Sequence, residues 1–260
     1  MRRLIGLMLL GMVAAVPAHA QTAPTQAAGA PPQVPQRFPP PGWPSPVEDT
    51  RPYTFLLADV VDFTTGSNLQ WDANGWHGGD YNRLWFKSEG EQDLRKADRN
   101  LDVQVLYGRF VKKYYDVQIG GGVQTATFQA RNVTRPELVF GFEGFVPFKS
   151  DFESLLFVSH KGDVRGRVTF ERDLLASQRL IIQPRIEGNL AVHRVEEFGV
   201  AAGLNALEFG IRARYEIRRE LAPYIGVSFS RRFFGAADLA RAQGNDAGEA
   251  RLVFGIRAWR

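Results

Sequence analysis

The chain contains no cysteine, which excludes a disulfide framework and any thiolate metal site. Its three methionines, Met1, Met8 and Met12, all fall in the first twelve residues. Histidine is nearly as scarce, with His19, His77, His160 and His193 alone. Beyond residue 20 no run approaches the roughly 18 consecutive apolar residues that a membrane helix needs. There is no Gly-rich phosphate loop either; Gly120-Gly121-Gly122 lies inside a strand-like run, where small residues make room for bulky neighbours. Yet 44% of the chain is hydrophobic, so its apolar residues must be dispersed instead of clustered.

Residues 1–20 have the form of a secretory signal peptide. Arg2 and Arg3 form a basic start, Leu4 to Val16 an apolar run, and Ala18-His19-Ala20 a small-residue cleavage site. The residues expected around a twin-arginine pair are missing. Cleavage would make Gln21 the mature N-terminus and leave the mature chain without any sulfur ligand. The full chain carries 32 Lys+Arg against 28 Asp+Glu; without Arg2 and Arg3 the net charge falls from +4 to +2. An exported, nearly neutral protein does not point to a nucleic-acid partner. Residues 21–52 are rich in Pro, Ala and Gln, including Pro39-Pro40-Pro41. Such a segment buries too little surface to fold and is expected to be an extended periplasmic spacer or recruiting arm.

The chain beyond residue 52 is organised by strict alternation. In Leu207–Arg218, Leu207, Phe209, Ile211, Ala213, Tyr215 and Ile217 fall on one face, while Glu208, Arg212, Arg214, Glu216 and Arg218 fall on the other. A period of two is a strand signal. A long strand with one apolar and one charged face suits lipid on one side and a wet lumen on the other. Twelve such runs are expected, near 54–63, 68–77, 82–91, 101–110, 114–125, 137–146, 152–159, 164–173, 180–191, 205–218, 222–233 and 249–260. Ten or eight remain open if weak runs such as 54–63 lie outside the wall. Connections at 78–81, 111–113, 147–151, 174–179 and 219–221 are short. Those at 92–100, 126–136, 192–204 and 234–248 are long and polar. Near-alternation of short and long connections fits an up-and-down transmembrane β-barrel over residues 53–260, with both termini periplasmic.

The faces follow from parity. Leu101, Val103, Val105, Val117, Ile119, Val123, Val168, Phe170, Ile182, Ile186, Phe209, Ile211, Ile225, Val227, Phe254 and Ile256 are expected outward. Arg83, Lys87, Glu89, Glu91, Asp102, Asp116, Glu143, Arg165, Arg167, Glu171, Arg185, Glu187, Glu208, Arg212, Arg214, Glu216, Arg251 and Arg257 are expected inward. Both signs occur two positions apart, which predicts a lumen laced with ion pairs and partly or wholly plugged by its own side chains, not an open porin channel. Trp71, Trp76, Trp85, Tyr107, Tyr115, Phe145, Tyr215, Tyr224 and Trp259 are placed near strand ends as interfacial girdles. The last strand, 251–260, should close the barrel, with Gly255 among its alternating Leu252, Phe254 and Ile256.

Several strings carry a family resemblance. They are Trp71-Asp72-Ala73, the run Gly78 to Glu91, Gln183-Pro184-Arg185, Gly210 to Tyr224 and Ala237-Asp238-Leu239-Ala240-Arg241. In order, across 54–260, the chain resembles the copper resistance protein B family. The resemblance implies an outer-membrane barrel involved in copper tolerance. Members of that family often carry a Met- and His-rich segment ahead of the barrel; here a Pro/Ala/Gln tail stands in its place. Cu(I) prefers soft thioether or thiolate donors, which the mature chain does not offer.

Imidazole and carboxylate groups are then the candidate ligands, for a weakly bound copper ion. His77 lies near Asp72 and Asp80, His160 opens a turn with Asp163, and His193 precedes Glu196 and Glu197. None has a second histidine at ligand spacing. A rival reading is an outer-membrane lipid hydrolase with a Ser–His pair on the outer wall. Ser159 and His160 are adjacent and point to opposite faces, and Ser177, Ser228 and Ser230 have no evident histidine, so no catalytic residue is assigned. A third reading is a structural or surface barrel whose basic loops (Arg95, Lys96, Arg99; Arg131, Arg135) touch lipopolysaccharide. The expectation is a monomeric, non-enzymatic outer-membrane barrel of a Gram-negative cell. Its expected partners are the lipid bilayer, lipopolysaccharide, copper ions and a periplasmic copper-handling protein.

Overall fold

The computed structural model describes residues 51–260 except 66, 96–97, 113, 129–130, 147–149 and 243. The expected signal peptide and the expected tail up to residue 50 lie outside the described residues. The chain forms β1 (Tyr53–Thr64), β2 (Asn68–Gly78), β3 (Asn82–Asp93), β4 (Arg99–Lys112), β5 (Tyr115–Phe128), β6 (Arg131–Val146) and β7 (Ser150–Ser159). These are followed by β8 (Val164–Glu171), β9 (Leu174–Leu175), β10 (Leu180–Ala191), β11 (Gly203–Tyr215), β12 (Leu221–Arg232), α1 (Phe234–Ala242) and β13 (Gly248–Trp259).

Each long strand pairs antiparallel with its neighbours in the chain, with β8 meeting β10 directly. The two-residue β9 adds only a short pairing to β10. β13 returns to β1, with Leu57 opposite Trp259 and Phe63 opposite Phe254. Twelve long strands therefore close into a barrel. The weak run near 54–63 is part of the wall and forms the closing seam, so the ten- and eight-strand alternatives fall away. Among the described residues no helix is long and apolar enough to cross a membrane; crossing falls to the strands, whose backbone groups are paired by closure.

Three connections differ from expectation. The one placed at 126–136 shrinks to two residues, because β5 and β6 stay paired out to Phe128 and Arg131. Their distal ends are polar yet still laddered, with Thr125 bonded to Thr134 and Thr127 donating to Asn132 at 2.6 Å. Polarity there marks where the wall rises out of lipid, not where it stops. The connection at 234–248 contains α1, whose buried Ala236, Ala237, Leu239 and Ala240 recur at helical spacing. β11 ends at Tyr215, so Ile217 and Arg218 continue the alternation into a turn instead of the wall.

Parity assigns the faces well. Val103, Val105, Val117, Ile119, Phe209, Ile211, Ile225, Phe254 and Ile256 are exposed on the outside, while Lys87, Asp102, Asp116, Arg167, Arg212 and Arg214 are buried. The girdle assignment holds for Tyr107, Phe145 and Tyr215, which are exposed. It fails for Trp85 and Tyr224, which are buried, and for Trp76, which packs partly buried against the interior. Trp85 shares its parity with Arg83 and Lys87, so it must face the lumen with them.

Trp85, Leu106, Val139, Leu155 and Phe157 form an apolar cluster inside the barrel along β3–β7. Leu106 and Val139, both at 0% exposure, flank Gly120 from either side across the ladder. A Cβ on Gly120 would meet the Leu106 Cα at 2.8 Å, so glycine is what lets the two bulky neighbours close over it.

The outward face predicts the cost of charge in lipid. Val105→Arg, in the middle of β4, is expected to destabilise the barrel by roughly 2–4 kcal/mol. Urea unfolding from lipid vesicles measures this, and wild-type stability would refute the lipid-facing assignment.

Candidate functional site

Strand alternation puts charges of both signs on the inward face, and closure brings distant ones together. Lys87, 6% exposed, places its Nζ 3.2 Å from Glu143 Oε2 and also bonds Glu153. Gln118 donates to the same Glu143 carboxylate at 2.8 Å. Arg165 holds Asp102 and Glu137, each at 2.5 Å, with its guanidinium 3.5 Å above the Phe157 ring centroid. Arg167 pairs with Glu89, and Arg185 reaches Asp72 at 3.5 Å and Glu187 at 3.1 Å. Arg251 joins Glu91 and Glu249, and Arg257 joins Asp59 at 2.5 Å.

The strand order shows how far these pairs reach. Lys87–Glu153 links β3 to β7, Arg167–Glu89 links β8 to β3, and Arg185–Asp72 links β10 to β2. In a twelve-strand ring such partners face one another across the lumen. Together they form a septum of ion pairs across the lumen, the pairing that the alternation predicts.

Above the septum a cavity of about 1320 Å³ extends toward the end of the barrel opposite Tyr53 and Arg260. Its floor includes Asp72, Arg167, Arg185 and Arg212, and its mouth includes Asp98, Glu196, Phe198 and Asp246. Among the described lining residues twelve are Asp or Glu and eight are Arg. The cavity is thus net acidic within a chain of opposite net charge, and low-dielectric walls focus that field on entering cations.

Two segments partly cover the mouth. α1 packs its Ala236 and Leu239 on Ala201. Asn205 holds that contact in place, accepting from the Ala201 N–H at 2.7 Å and donating to the Ala201 carbonyl at 2.8 Å. The short 3-10 turn Glu196–Phe198 leans inward until Phe198 stacks 4.2 Å from the Arg135 guanidinium. Arg135, expected in a basic surface loop, is instead buried on the inner face of β6, because β6 extends further than expected.

The candidate metal ligands are dispersed. His77 is exposed near the end of β2, its Nδ1 2.8 Å from Thr54 Oγ1. Asp72, five residues away, faces inward on Arg185, so parity separates the two. Asp80 lies in the turn after β2, at the end of the barrel that carries Tyr53 and Arg260. His160 and Asp163 lie in the β7–β8 turn at the other end, where Asp163 accepts from Ser159 Oγ at 3.1 Å and faces Arg135 at 3.6 Å. His193 is in the β10–β11 connection, near Glu196, which pairs with Arg194 at 2.9 Å. The length of the barrel lies between His77 and the other two histidines. Among the described residues no three His, Asp or Glu side chains are grouped to hold a metal ion. Asp72 and Glu196 do line the cavity. The serine hydroxyls are engaged elsewhere, Ser159 within its turn, Ser177 on backbone N–H groups and Ser228 on Glu208.

The sequence profile described as "Copper resistance protein B precursor (CopB)" matches residues 53–260, the whole wall from the first residue of β1. The chain belongs to the copper resistance protein B family. Two relatives in that family are similar over most of their length. The copper resistance protein B homolog of Pseudomonas syringae pv. tomato is 36% identical over 221 residues, covering 82% of this chain and 72% of the relative. Copper resistance protein B of Escherichia coli is 35% identical over 216 residues, covering 82% and 71%. Among solved structures, a NanC porin chain aligns at TM-score 0.48 and 12% identity, over 80% of this chain and 100% of that one.

Three features of this family member were missed by reading the sequence: the apolar cluster, α1 as a cover and the Asn205 clamp. The first two had signals, in the parity of Trp85 and the helical spacing of 236–240; Asn205 had none.

Lys87→Met should test the septum's energetics. It leaves Glu143 and Glu153 without their shared cation, and removing one partner of a largely buried pair costs about 3 kcal/mol. Adding Glu153→Gln should restore part of that loss. Urea midpoints of the three proteins in vesicles check both, and an unaltered Lys87→Met midpoint would contradict a stabilising role for the Lys87 pairs.

Proposed function

We propose that this protein works in the outer membrane of a Gram-negative cell, exported through the signal of residues 1–20, and supports copper tolerance without storing Cu(I). The observation that carries the reading is the acidic cavity of about 1320 Å³ above the ion pairs that cross the lumen. Divalent copper is drawn to it by field and held in loose exchange on carboxylates, since oxygen donors suit Cu(II) far better than Cu(I). The absence of sulfur ligands after residue 20 points the same way. Family membership supplies the copper context. The apolar belt and closed wall suit a monomer in lipid, with the exposed Arg99 and Arg95 at the level of lipopolysaccharide. A periplasmic copper-handling partner would meet the opposite end, where Tyr53 and Arg260 lie. Catalysis has no part in the reading.

Deleting the gene and measuring growth and cell-associated copper over a range of copper concentrations tests it. The deletion strain should be copper-sensitive with raised cell copper, and the wild-type gene should restore it. A complement carrying Glu196→Gln, Glu197→Gln and Asp246→Asn should restore tolerance incompletely. One carrying His77→Ala, His160→Ala and His193→Ala should restore most of it, because none of these histidines lines the cavity. Unchanged tolerance and copper content in the deletion strain would leave a structural or surface barrel.

A further inference from the structure

We propose that the ion pairs at the cavity floor are a removable seal, and that the barrel they close is a latent cation-selective pore. A twelve-strand barrel is wider than the eight-strand size that side chains fill by packing, and narrower than an open porin. Its interior is therefore closed by whatever long side chains cross it.

Along β3–β7 the filling is the apolar cluster of Trp85, Leu106, Val139, Leu155 and Phe157, anchored to the wall. Across the remainder it is guanidinium groups. Arg167, 8% exposed, crosses to Glu89, and Arg185 crosses to Asp72. The Arg167 guanidinium also lies 5.6 Å from the Phe157 ring centroid, but neither bridge is part of the backbone ladder, so the wall does not depend on them for its pairing.

Charge decides what would pass. Shortening Arg167 and Arg185 removes two cations from the level of the bridges and leaves Asp72, Glu89 and Glu187 there. Above it lies the net acidic cavity. Below it, Asp151 and Glu171 stand directly opposite each other on β7 and β8, on the inward parity, and Asp151 is exposed. Inward cations toward that end, Lys87, Arg214 and Arg257, are each already matched by a carboxylate. The excess charge along the path is therefore acidic and favours cations, as rings of acidic side chains do in cation channels. Cutting the same bridges from the acidic side should do the reverse, because two carboxylates leave the opening while Arg167 and Arg185 stay, held only by Asp102 at 3.8 Å and Glu187 at 3.1 Å.

Planar-bilayer recording of the purified full-length barrel in potassium chloride tests this without copper, so its outcome is independent of the copper reading. Heat-modifiable migration on gels confirms that each variant has folded. Wild type should show little current. Arg167→Ala/Arg185→Ala should conduct several-fold more, with a reversal potential in a salt gradient displaced toward that of potassium. Asp72→Asn/Glu89→Gln should also conduct more, with the displacement toward chloride. Wild-type currents equal to the variants', folded variants that stay sealed, or the same selectivity in both would overturn the proposal. Failure of both pairs to fold would also overturn it, by showing that the bridges build the wall instead of sealing it.

Discussion

Everything in this protein depends on closing the hydrogen-bond ladder between the first and last strands. In hydrocarbon an unpaired peptide group has no water to turn to, so the β1–β13 seam decides whether a wall exists at all. The seam is also where the ladder is least regular, with a bulge between Ala58 and Asp62. The structure compensates from inside. The Tyr224 hydroxyl accepts the Val61 N–H at 3.3 Å and donates to Asp62, which in turn faces Arg212 at 3.4 Å. Gly255 sits under this group, and any Cβ there would collide with both Tyr224 and Asp62. A glycine, a tyrosine and a buried ion pair thus serve one bulge. At the strand tips, Leu56 and Arg260 exchange both of their backbone hydrogen bonds at 2.9 Å.

Once the ring is closed, its circumference sets the problem its interior must solve. Lys87, Arg165, Arg167 and Arg185 are long enough to cross a twelve-strand lumen, and each finds carboxylates from the facing wall. Their stems pack as apolar matter while their heads pair, as with Arg165 lying flat on Phe157. A filling of this kind is dense yet polar. It crosses the barrel at mid-height and leaves an acidic chamber toward the end opposite Tyr53 and Arg260, covered in part by α1 and the 3-10 turn. The chamber, the seal and the lipid-facing belt are consequences of one pattern of alternation wrapped into a cylinder.

The histidines illustrate why residue type alone does not make a metal site. His77, His160 and His193 look comparable as isolated imidazoles beside acids, yet the antiparallel path sends the first to one rim and the others to the opposite one. Asp72, near His77 in sequence, belongs by parity to the lumen and to Arg185. Proximity along a strand is a poor guide to proximity in space, because each residue advances about 3.3 Å and reverses face.

The amino-acid sequence by itself determined the strands and their two faces. Period-two alternation is local, and neighbours such as Val103, Asp102 and Val105 declare their sides without help from the rest of the chain. The family strings from Trp71 to Arg241 were equally legible. Tertiary structure alone decided which carboxylate meets which cation, that Arg135 lies under Phe198, that 54–63 closes the ring, and that a chamber lies above the ion pairs that cross the lumen. The physical reason is that parity tells inside from outside but says nothing of azimuth. Which inward side chains face one another across the lumen depends on strand count, stagger and closure, and those belong to the ring as a whole.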